Sequence, residues 1–100
     1  MARKHLFLNA EFSERWKESY QKLQSAEQNG VDKVVIALLK QKPTPGMRVK
    51  PVEPDKYYYE ARINDGDRLI HRTHEGTVFF IDIVTHDEIV RYSRSPRLRR

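Results

Sequence analysis

Four side chains in the second half of the chain have the types and positions from which a binding or catalytic site can be built: Arg62, Arg68, His86 and Tyr92. Arginine can hold an anion through two donors, and histidine can take up or release a proton near neutral pH. Arg68 follows a glycine turn and His86 follows an apolar run, so we expect both at strand ends, where a sheet holds converging side chains still. Ordinary structural roles are also open: Arg68 paired with Asp65 or Asp82, His86 in a loop, and Tyr92 packed over a sheet.

A proline-rich segment, 43–56, adds charged side chains. Its sequence, PTPGMRVKPVEPDK, holds four prolines and a glycine, which predicts a restrained, mostly extended loop between the elements before and after it. The loop carries Arg48, Lys50, Glu53 and Lys56, and we expect it to lie close to one end of a sheet. Long polar loops often carry function, although a plain connector fits equally well.

Other kinds of site are disfavoured by residue type and spacing. The chain has no cysteine, which excludes thiolate nucleophiles and cysteine-based zinc sites. His71 and His74 are three apart on a predicted strand and therefore point to opposite faces, and His5 and His86 do not complete a recognisable ligand spacing. The sequence has no phosphate-binding glycine loop, HExxH or GxSxG motif. We therefore expect no metal and no cofactor.

The elements that would position these side chains form an antiparallel meander. Three runs rich in aromatic and β-branched residues, at 57–64, 67–74 and 77–84, predict three strands. Asn64-Asp65-Gly66-Asp67 and His74-Glu75-Gly76 separate them and supply the backbone freedom that tight turns require. The third run is apolar on both faces apart from Asp82, which predicts a central strand covered on two sides.

The first half of the chain predicts a strand and two helices. Residues 4–9 form a short apolar run that could join the edge of the sheet. An amphipathic helix is expected from an N-cap at Ser13 to Asn29-Gly30, because Phe12, Trp16, Tyr20 and Leu23 recur at helical spacing. A second helix is expected from Val31 until Pro43 ends it. We expect the two to form a hairpin with its apolar faces buried against the sheet.

The length and the charge of the chain indicate a single small domain with a basic terminus. One hundred residues suit one domain, here 1–93, with a basic tail at 94–100. The net charge is +5, and the five arginines of residues 91–100 account for all of it. A basic terminus on a neutral body suggests a polyanionic or acidic protein partner. No apolar run reaches the roughly 18–20 residues of a membrane span, and no signal peptide is evident, so we expect a cytoplasmic protein.

One stretch resembles a known family. Residues 62–71, RINDGDRLIH, followed by a glycine turn, an aromatic-aliphatic strand and then His86 and Tyr92, resemble the RelE/ParE toxin superfamily of bacterial toxin–antitoxin systems. The likeness covers about 57–92 and rests on element order over 5–56. It implies an α+β fold of order β-α-α-β-β-β, with the N-terminal strand and two-helix hairpin packed on an antiparallel meander sheet.

The resemblance also implies an activity and its residues. RelE-like toxins cleave messenger RNA on the ribosome. The resemblance implies catalytic roles for Arg68, His86 and Tyr92. Glu53 is one residue away from the position of a catalytic glutamate in the related YoeB toxins. The chain departs from RelE where that toxin has paired lysines, because Tyr58, Tyr59 and Glu60 stand there.

The chemistry implied is metal-free transesterification, in which a ribose 2′-hydroxyl attacks the adjacent phosphate and leaves a 2′,3′-cyclic phosphate. It requires a base, a positive charge on the phosphate and an acid for the departing oxygen. Implied partners are an acidic antitoxin, messenger RNA and ribosomal RNA in the ribosomal A site. The candidate RNA-binding residues are Arg62, Lys50, Lys56, Arg48, Arg91 and Arg94.

Two other functions remain compatible with the same resemblance. One is a ParE-like inhibitor of DNA gyrase, which acts by binding and needs no nuclease chemistry. The other is a catalytically inactive RelE-like module that binds a partner. The presence of Arg68, His86 and Tyr92 favours the nuclease, because a protein that only binds needs no acid–base pair, whereas the missing lysines favour the alternatives.

Overall fold

The structure, a computed structural model, describes residues 7–53 and 56–93, apart from the side chains of residues 91 and 93. The described elements are, in chain order, β1 (Asn9–Phe12), α1 (Glu14–Gln21), α2 (Ser25–Leu39), β2 (Lys50–Pro51), β3 (Tyr59–Arg62), β4 (Asp67–His74), β5 (Thr77–Thr85) and α3 (Val90–Ser93), with 3₁₀ turns at Pro45–Met47 and Asp87–Ile89. This order confirms the predicted α+β fold. None of the helices in the described ranges is long and apolar enough to cross a membrane.

The five strands form one sheet in the order β1-β5-β4-β3-β2. The pairs β2–β3, β3–β4 and β4–β5 are antiparallel, which confirms the meander, and β1 lies parallel to β5 at the edge. The edge strand begins later than the 4–9 run that predicted it. Residues 4–6 lie outside the described part of the chain, and Leu8 precedes the strand, donating its backbone N–H to Leu39 O at 2.9 Å.

The segment predicted as a loop, 43–56, contributes a strand as well. Lys50 pairs with Glu60 and Pro51 with Tyr59, so a two-residue strand extends the meander at its outer edge. The Pro45–Met47 turn precedes it and ends at Arg48, whose φ of 46° reverses the chain. Because these two backbone pairs depend on the tertiary register, no periodic pattern in the sequence announces them.

The helical hairpin is confirmed, but its break is not at Asn29-Gly30. α1 ends at Gln21 and α2 runs through Gly30 to Leu39. The backbone N–H of Gln24 donates to the Glu27 carboxylate at 2.9 Å, as in a capping box, and this interaction starts α2 before the Asn-Gly pair is reached. Ser13 caps α1 as predicted, since its Oγ accepts from Trp16 N at 3.0 Å.

The main core lies between the helices and one face of the sheet, which we call the helix face. Trp16 of α1 packs against Phe80 with ring centroids 5.3 Å apart, and Phe12 stacks on the same ring at 4.9 Å. Burial of such aromatic side chains dominates the stability of a small core. The other buried members of this cluster are Val31, Val34, Leu38, Ala61, Leu69 and Val78.

A smaller cluster covers part of the opposite side of the sheet, which we call the second face. It consists of Val52, Ile70, Val84 and Tyr92. Leu69 and Ile70 are neighbours in β4 and therefore point to opposite faces, which assigns the two clusters to the two sides. β5 lies between β1 and β4 and contributes to both clusters, which confirms the predicted central strand covered on two sides. An irregularity in the β4–β5 register leaves Ile81 of β5 without an opposite residue.

Candidate functional site

The turn between β3 and β4 is the structural centre of the candidate site. The Asn64 side-chain oxygen accepts from the backbone N–H groups of Gly66 at 2.9 Å and Asp67 at 2.8 Å. The Asn64 amide donates in turn to the Asp67 carboxylate at 3.2 Å. Such side-chain-to-backbone bonds replace the missing ladder bonds of a turn and fix its shape.

Arg68 folds back onto this turn. Its Nη1 donates to the carbonyl oxygens of Asn64, Asp65 and Asp67 at 2.8, 3.2 and 3.0 Å. Its Nε lies 3.7 Å from the Glu60 carboxylate, and 14% of the side chain is exposed. The acidic partner is thus Glu60 rather than the carboxylate of Asp65 or Asp82. The guanidinium is a positive charge whose orientation the turn has already fixed.

His86 is attached to the same turn. Its backbone N–H donates to Gly66 O at 2.8 Å, so the end of β5 reaches the turn that holds Arg68. The Thr85 backbone N–H donates to Glu88 Oε1 at 3.0 Å, and the Glu88 backbone N–H donates to Thr85 Oγ1 at 3.2 Å. These two bonds fix the short segment around His86. The imidazole is 66% exposed, with Nδ1 4.0 Å from the Asp87 carboxylate. It is open to solvent and to a ligand.

Further cations line the same end of the second face. Arg62 stands opposite Arg68 in the β3–β4 register and bonds the Asp65 carboxylate. Lys50 stands opposite Glu60 in the β2–β3 register and is exposed. Strand alternation places these residues on one side of the sheet. Three positive charges, those of Lys50, Arg62 and Arg68, thus stand against the two carboxylates of Glu60 and Asp65.

Tyr92 is buried, with 8% of its surface exposed, and fastens α3 to the sheet. Its hydroxyl donates to Asp82 Oδ2 at 2.8 Å, and its ring meets that of Tyr58 edge-on at 5.3 Å. Asp82 also accepts from Ser19 Oγ at 3.0 Å and from the Ile83 backbone N–H at 2.8 Å. Charge-assisted bonds of this kind satisfy a buried carboxylate. Tyr92 therefore holds α3 in place.

Glu53 and Lys56 lie at the opposite end of β3 from Arg62. Their loop is closed by Val52 N–H donating to Tyr58 O and Lys56 N–H donating to Val52 O, both at 2.8 Å. The two exposed side chains approach each other at 4.0 Å. A catalytic role for Glu53 and an RNA-binding role for Lys56 stay predictions, as does an RNA-binding role for Arg48, which is exposed.

Two of the predicted residues cannot be placed. The side chain of Arg91 and the whole of Arg94, with the 94–100 tail, lie outside the described residues. Within residues 7–53 and 56–93, no three His, Asp or Glu side chains are grouped in a way that could hold a metal ion.

Two residues near Arg68 were not predicted from the sequence as part of the site. Glu60 lies beside Arg68, and Arg72 follows Arg68 by four residues on the same side of β4. The alternation of the predicted strands could have identified both, because it aligns Glu60 with Arg62, and Arg68 with Arg72. The sequence comparison with RelE named Glu60 only because it stands in the region of the RelE lysines, and did not predict its contact with Arg68.

Comparison with solved structures identifies the architecture. YafQ from Escherichia coli strain BL21(DE3) matches with a TM-score of 0.71 and 15% identity, over 82% of this chain and 97% of YafQ. A metal-bound toxin from Helicobacter pylori matches with a TM-score of 0.69 and 19% identity, over 81% of this chain and 97% of that toxin. The chain has the RelE/YafQ-like toxin fold.

The same fold occurs in complexes with antitoxins. The RelBE2 toxin–antitoxin complex of Mycobacterium tuberculosis contains a chain that matches with a TM-score of 0.64 and 18% identity, over 81% of this chain and 100% of that one. YafQ has also been solved in complex with DinJ. No protein-family model and no curated protein matches the sequence. At sequence identities of 15–19%, these matches show a shared fold.

Proposed function

We propose that the chain is the toxin of a toxin–antitoxin system and cleaves messenger RNA on the ribosome. The observation that carries the proposal is the attachment of Arg68 and His86, eighteen positions apart in sequence, to a single turn of a RelE/YafQ-like fold. An anion-binding side chain and a proton-transfer side chain at one strand end are the two components that phosphodiester transesterification needs most.

In the proposed reaction, the 2′-hydroxyl of a ribose attacks the adjacent phosphorus as its proton leaves to a base. The bond to the 5′-oxygen of the next nucleotide then breaks, and that oxygen receives a proton. The products are a 2′,3′-cyclic phosphate and a free 5′-hydroxyl, so no water or cofactor is consumed. His86 takes or gives one of the two protons, because its imidazole is exposed beside the turn.

Arg68 stabilises the negative charge that builds up on the phosphate. Its Nη1 is bonded to three turn carbonyls, whereas Nη2 has no hydrogen-bond partner among the described residues. A guanidinium held in this way does not need to reorganise during the reaction, which is the condition for strong electrostatic catalysis. Arg62 and Lys50 would hold neighbouring phosphates, and Tyr92 would act by positioning α3.

The proposed regulator is an acidic antitoxin protein. The structural neighbours YafQ and the RelBE2 toxin are found in complexes with antitoxins, and the second face of this chain carries an excess of positive charge. An acidic segment across this face would compete with RNA. The arginine-rich terminus would add salt-sensitive attachment to ribosomal RNA.

Two observations favour a second candidate, an inactive RelE-like binding module. The Tyr92 hydroxyl is bonded to buried Asp82, and Tyr58, Tyr59 and Glu60 occupy the region where RelE has paired lysines. A chain with these features could bind RNA or an antitoxin without cutting. The two candidates differ in whether cleavage occurs.

The test is cleavage of a translated message in a purified bacterial translation system. The wild-type chain is expected to cut within the reading frame, and His86→Gln is expected to slow cleavage roughly 100- to 1,000-fold. Because the His86 side chain is exposed, the thermal melt of the His86→Gln variant should match that of the wild type. Lys33→Gln, at an exposed position of α2, is the matched control and should cut normally. Equal rates for His86→Gln and wild type would refute the role assigned to His86. A wild-type chain that never cuts would reject the nuclease in favour of a protein that acts by binding.

A further inference from the structure

A groove lies on the second face toward the β4–β5 turn, at the opposite end of β4 from Arg68. It has a volume of about 320 Å³ and is lined by Tyr57, Tyr58, Arg72, His74, Phe79 and Ile81. The Tyr57 and Tyr58 rings meet edge-on, with centroids 4.9 Å apart. The Arg72 guanidinium carbon lies 4.5 Å from the centroid of the Tyr57 ring. The groove therefore combines aromatic and aliphatic walls with a positive charge on its rim.

The groove continues the surface that carries the candidate site. Arg72 and Arg68 are four residues apart in β4 and hence point to the same side of the sheet, about 13 Å apart along the strand. Ile70 lies between them on this face, and Tyr58 packs against the cluster that contains Ile70 and Tyr92. A ligand that filled the groove and reached Arg68 would need to be elongated.

The charges of this surface select an anionic ligand. Its described cations are Lys50, Arg62, Arg68 and Arg72, against the carboxylates of Glu60, of Asp65 at Arg62 and of the buried Asp82. Asp82 is turned inward and satisfied by Tyr92 and Ser19, so it does not repel a ligand. The apolar walls of the groove call for a flat or hydrophobic group on that anionic ligand. Single-stranded nucleic acid has both properties, since each phosphate carries a base with a flat face.

We propose that the groove binds one unpaired base of single-stranded RNA, stacked against its aromatic wall, with Arg72 beside the phosphate of that nucleotide. The inference rests on the proposed function, because it assigns this base to a nucleotide near the one held at Arg68. The groove is a subsite that positions the strand and takes no part in bond breaking. A base paired in a duplex could not enter it.

The test measures binding separately from cleavage. The probe is a fluorescein-labelled hexauridylate with 2′-O-methyl riboses, which cannot undergo 2′-hydroxyl attack, and fluorescence anisotropy reports its affinity for the full chain. Tyr57→Leu and Phe79→Leu are each expected to weaken binding about 5- to 150-fold, the range for one lost stack. Tyr57→Phe keeps the ring and should bind as the wild type does.

The matched control is Tyr59→Leu. Tyr59 is 41% exposed, but it pairs with His71 and points to the helix face, so its loss should leave RNA affinity unchanged. A second probe carries the same backbone with abasic riboses and should bind the wild type weakly. If it binds as tightly as hexauridylate, or if neither leucine variant in the groove changes affinity, the inference is wrong.

The outcomes separate the inference from the proposed function. Message cleavage by the wild type together with unchanged RNA affinity in Tyr57→Leu would retain the nuclease and reject the subsite. Binding that depends on Tyr57 without any cleavage would retain the subsite and reject the nuclease. Decaglutamate that binds more tightly than hexauridylate, and is weakened by the same substitutions, would assign the groove to an acidic protein and overturn the RNA subsite.

Discussion

His71 is a buried imidazole with an unusual environment. It is 5% exposed, and neither ring nitrogen has a hydrogen-bond partner in the described part of the chain. The Tyr59 ring lies beside it, with centroids 6.1 Å apart. Burial lowers the pKa of His71 to about 4, because the charged form would lose its hydration. The folded protein therefore holds this histidine neutral at physiological pH.

Acid is expected to destabilise the fold through His71. The folded pKa of about 4 lies below the ordinary histidine value of 6.5, so the unfolded chain takes up the proton first as pH falls. The free energy of unfolding should drop progressively between those two values, by about 3 kcal/mol in full and about 2 kcal/mol by pH 5. Urea unfolding at pH 7 and pH 5 measures the difference.

His71→Leu is expected to remove most of this pH dependence, whereas His74→Gln, at an exposed histidine of the same strand, should retain it. An unchanged pH dependence in His71→Leu would show that the loss arises elsewhere.

Tyr92 is expected to matter more for stability than its position near the end of the described chain suggests. Tyr92→Phe removes one donor from buried Asp82 and should cost about 1–3 kcal/mol in unfolding free energy. Tyr20→Phe is the matched control, because its hydroxyl bonds exposed Asp32 at 2.8 Å, where water can replace it. Equal urea midpoints for the two variants would contradict the anchoring role of Tyr92.

At the scale of the elements, two glycines should respond to alanine in opposite directions. Gly30 lies inside α2, and an added Cβ would meet Ile63 Cγ2 at an ordinary 3.6 Å. Gly30→Ala should therefore stabilise the protein by about 0.5–1 kcal/mol, through the higher helix propensity of alanine. Urea unfolding at pH 7 provides the measurement.

Gly76 provides the contrasting case. Its φ of +81° in the β4–β5 turn suits glycine, and an added Cβ would have open space around it. Gly76→Ala should cost about 1–2 kcal/mol from backbone strain alone. A loss of stability in Gly30→Ala, like that expected for Gly76→Ala, would contradict the predicted difference between the two glycines.

The elements show which sequence signals were sufficient. The turns at 64–67 and 74–76 are local, so their residues predicted the meander and brought Arg68 and His86 to one end. The start of α2 depends on a reciprocal contact between Gln24 and Glu27, which competed with the more obvious Asn29-Gly30 signal. Neither β2 nor the Tyr92–Asp82 bond could be predicted, because both depend on partners that only the fold brings close.

At the scale of the whole molecule, the second face should bind RNA with a measurable dependence on salt. Each phosphate contact contributes about −0.7 to the slope of log affinity against log salt for a single strand. Arg62→Gln and Lys50→Gln should each make the slope for hexauridylate shallower by about that amount. Lys33→Gln, on the helical side, should leave the slope unchanged, and equal slopes in all three variants would place the RNA elsewhere.

The two outermost strands of the described sheet bear on how the protein behaves when concentrated. β1 has four residues and β2 has two, one of them Pro51, which has no N–H to donate. A neighbouring molecule could therefore form few backbone bonds along either border. Proteins with such short, interrupted borders resist stacking into fibrils, so overproduction of this chain should yield dispersed protein rather than ordered aggregates.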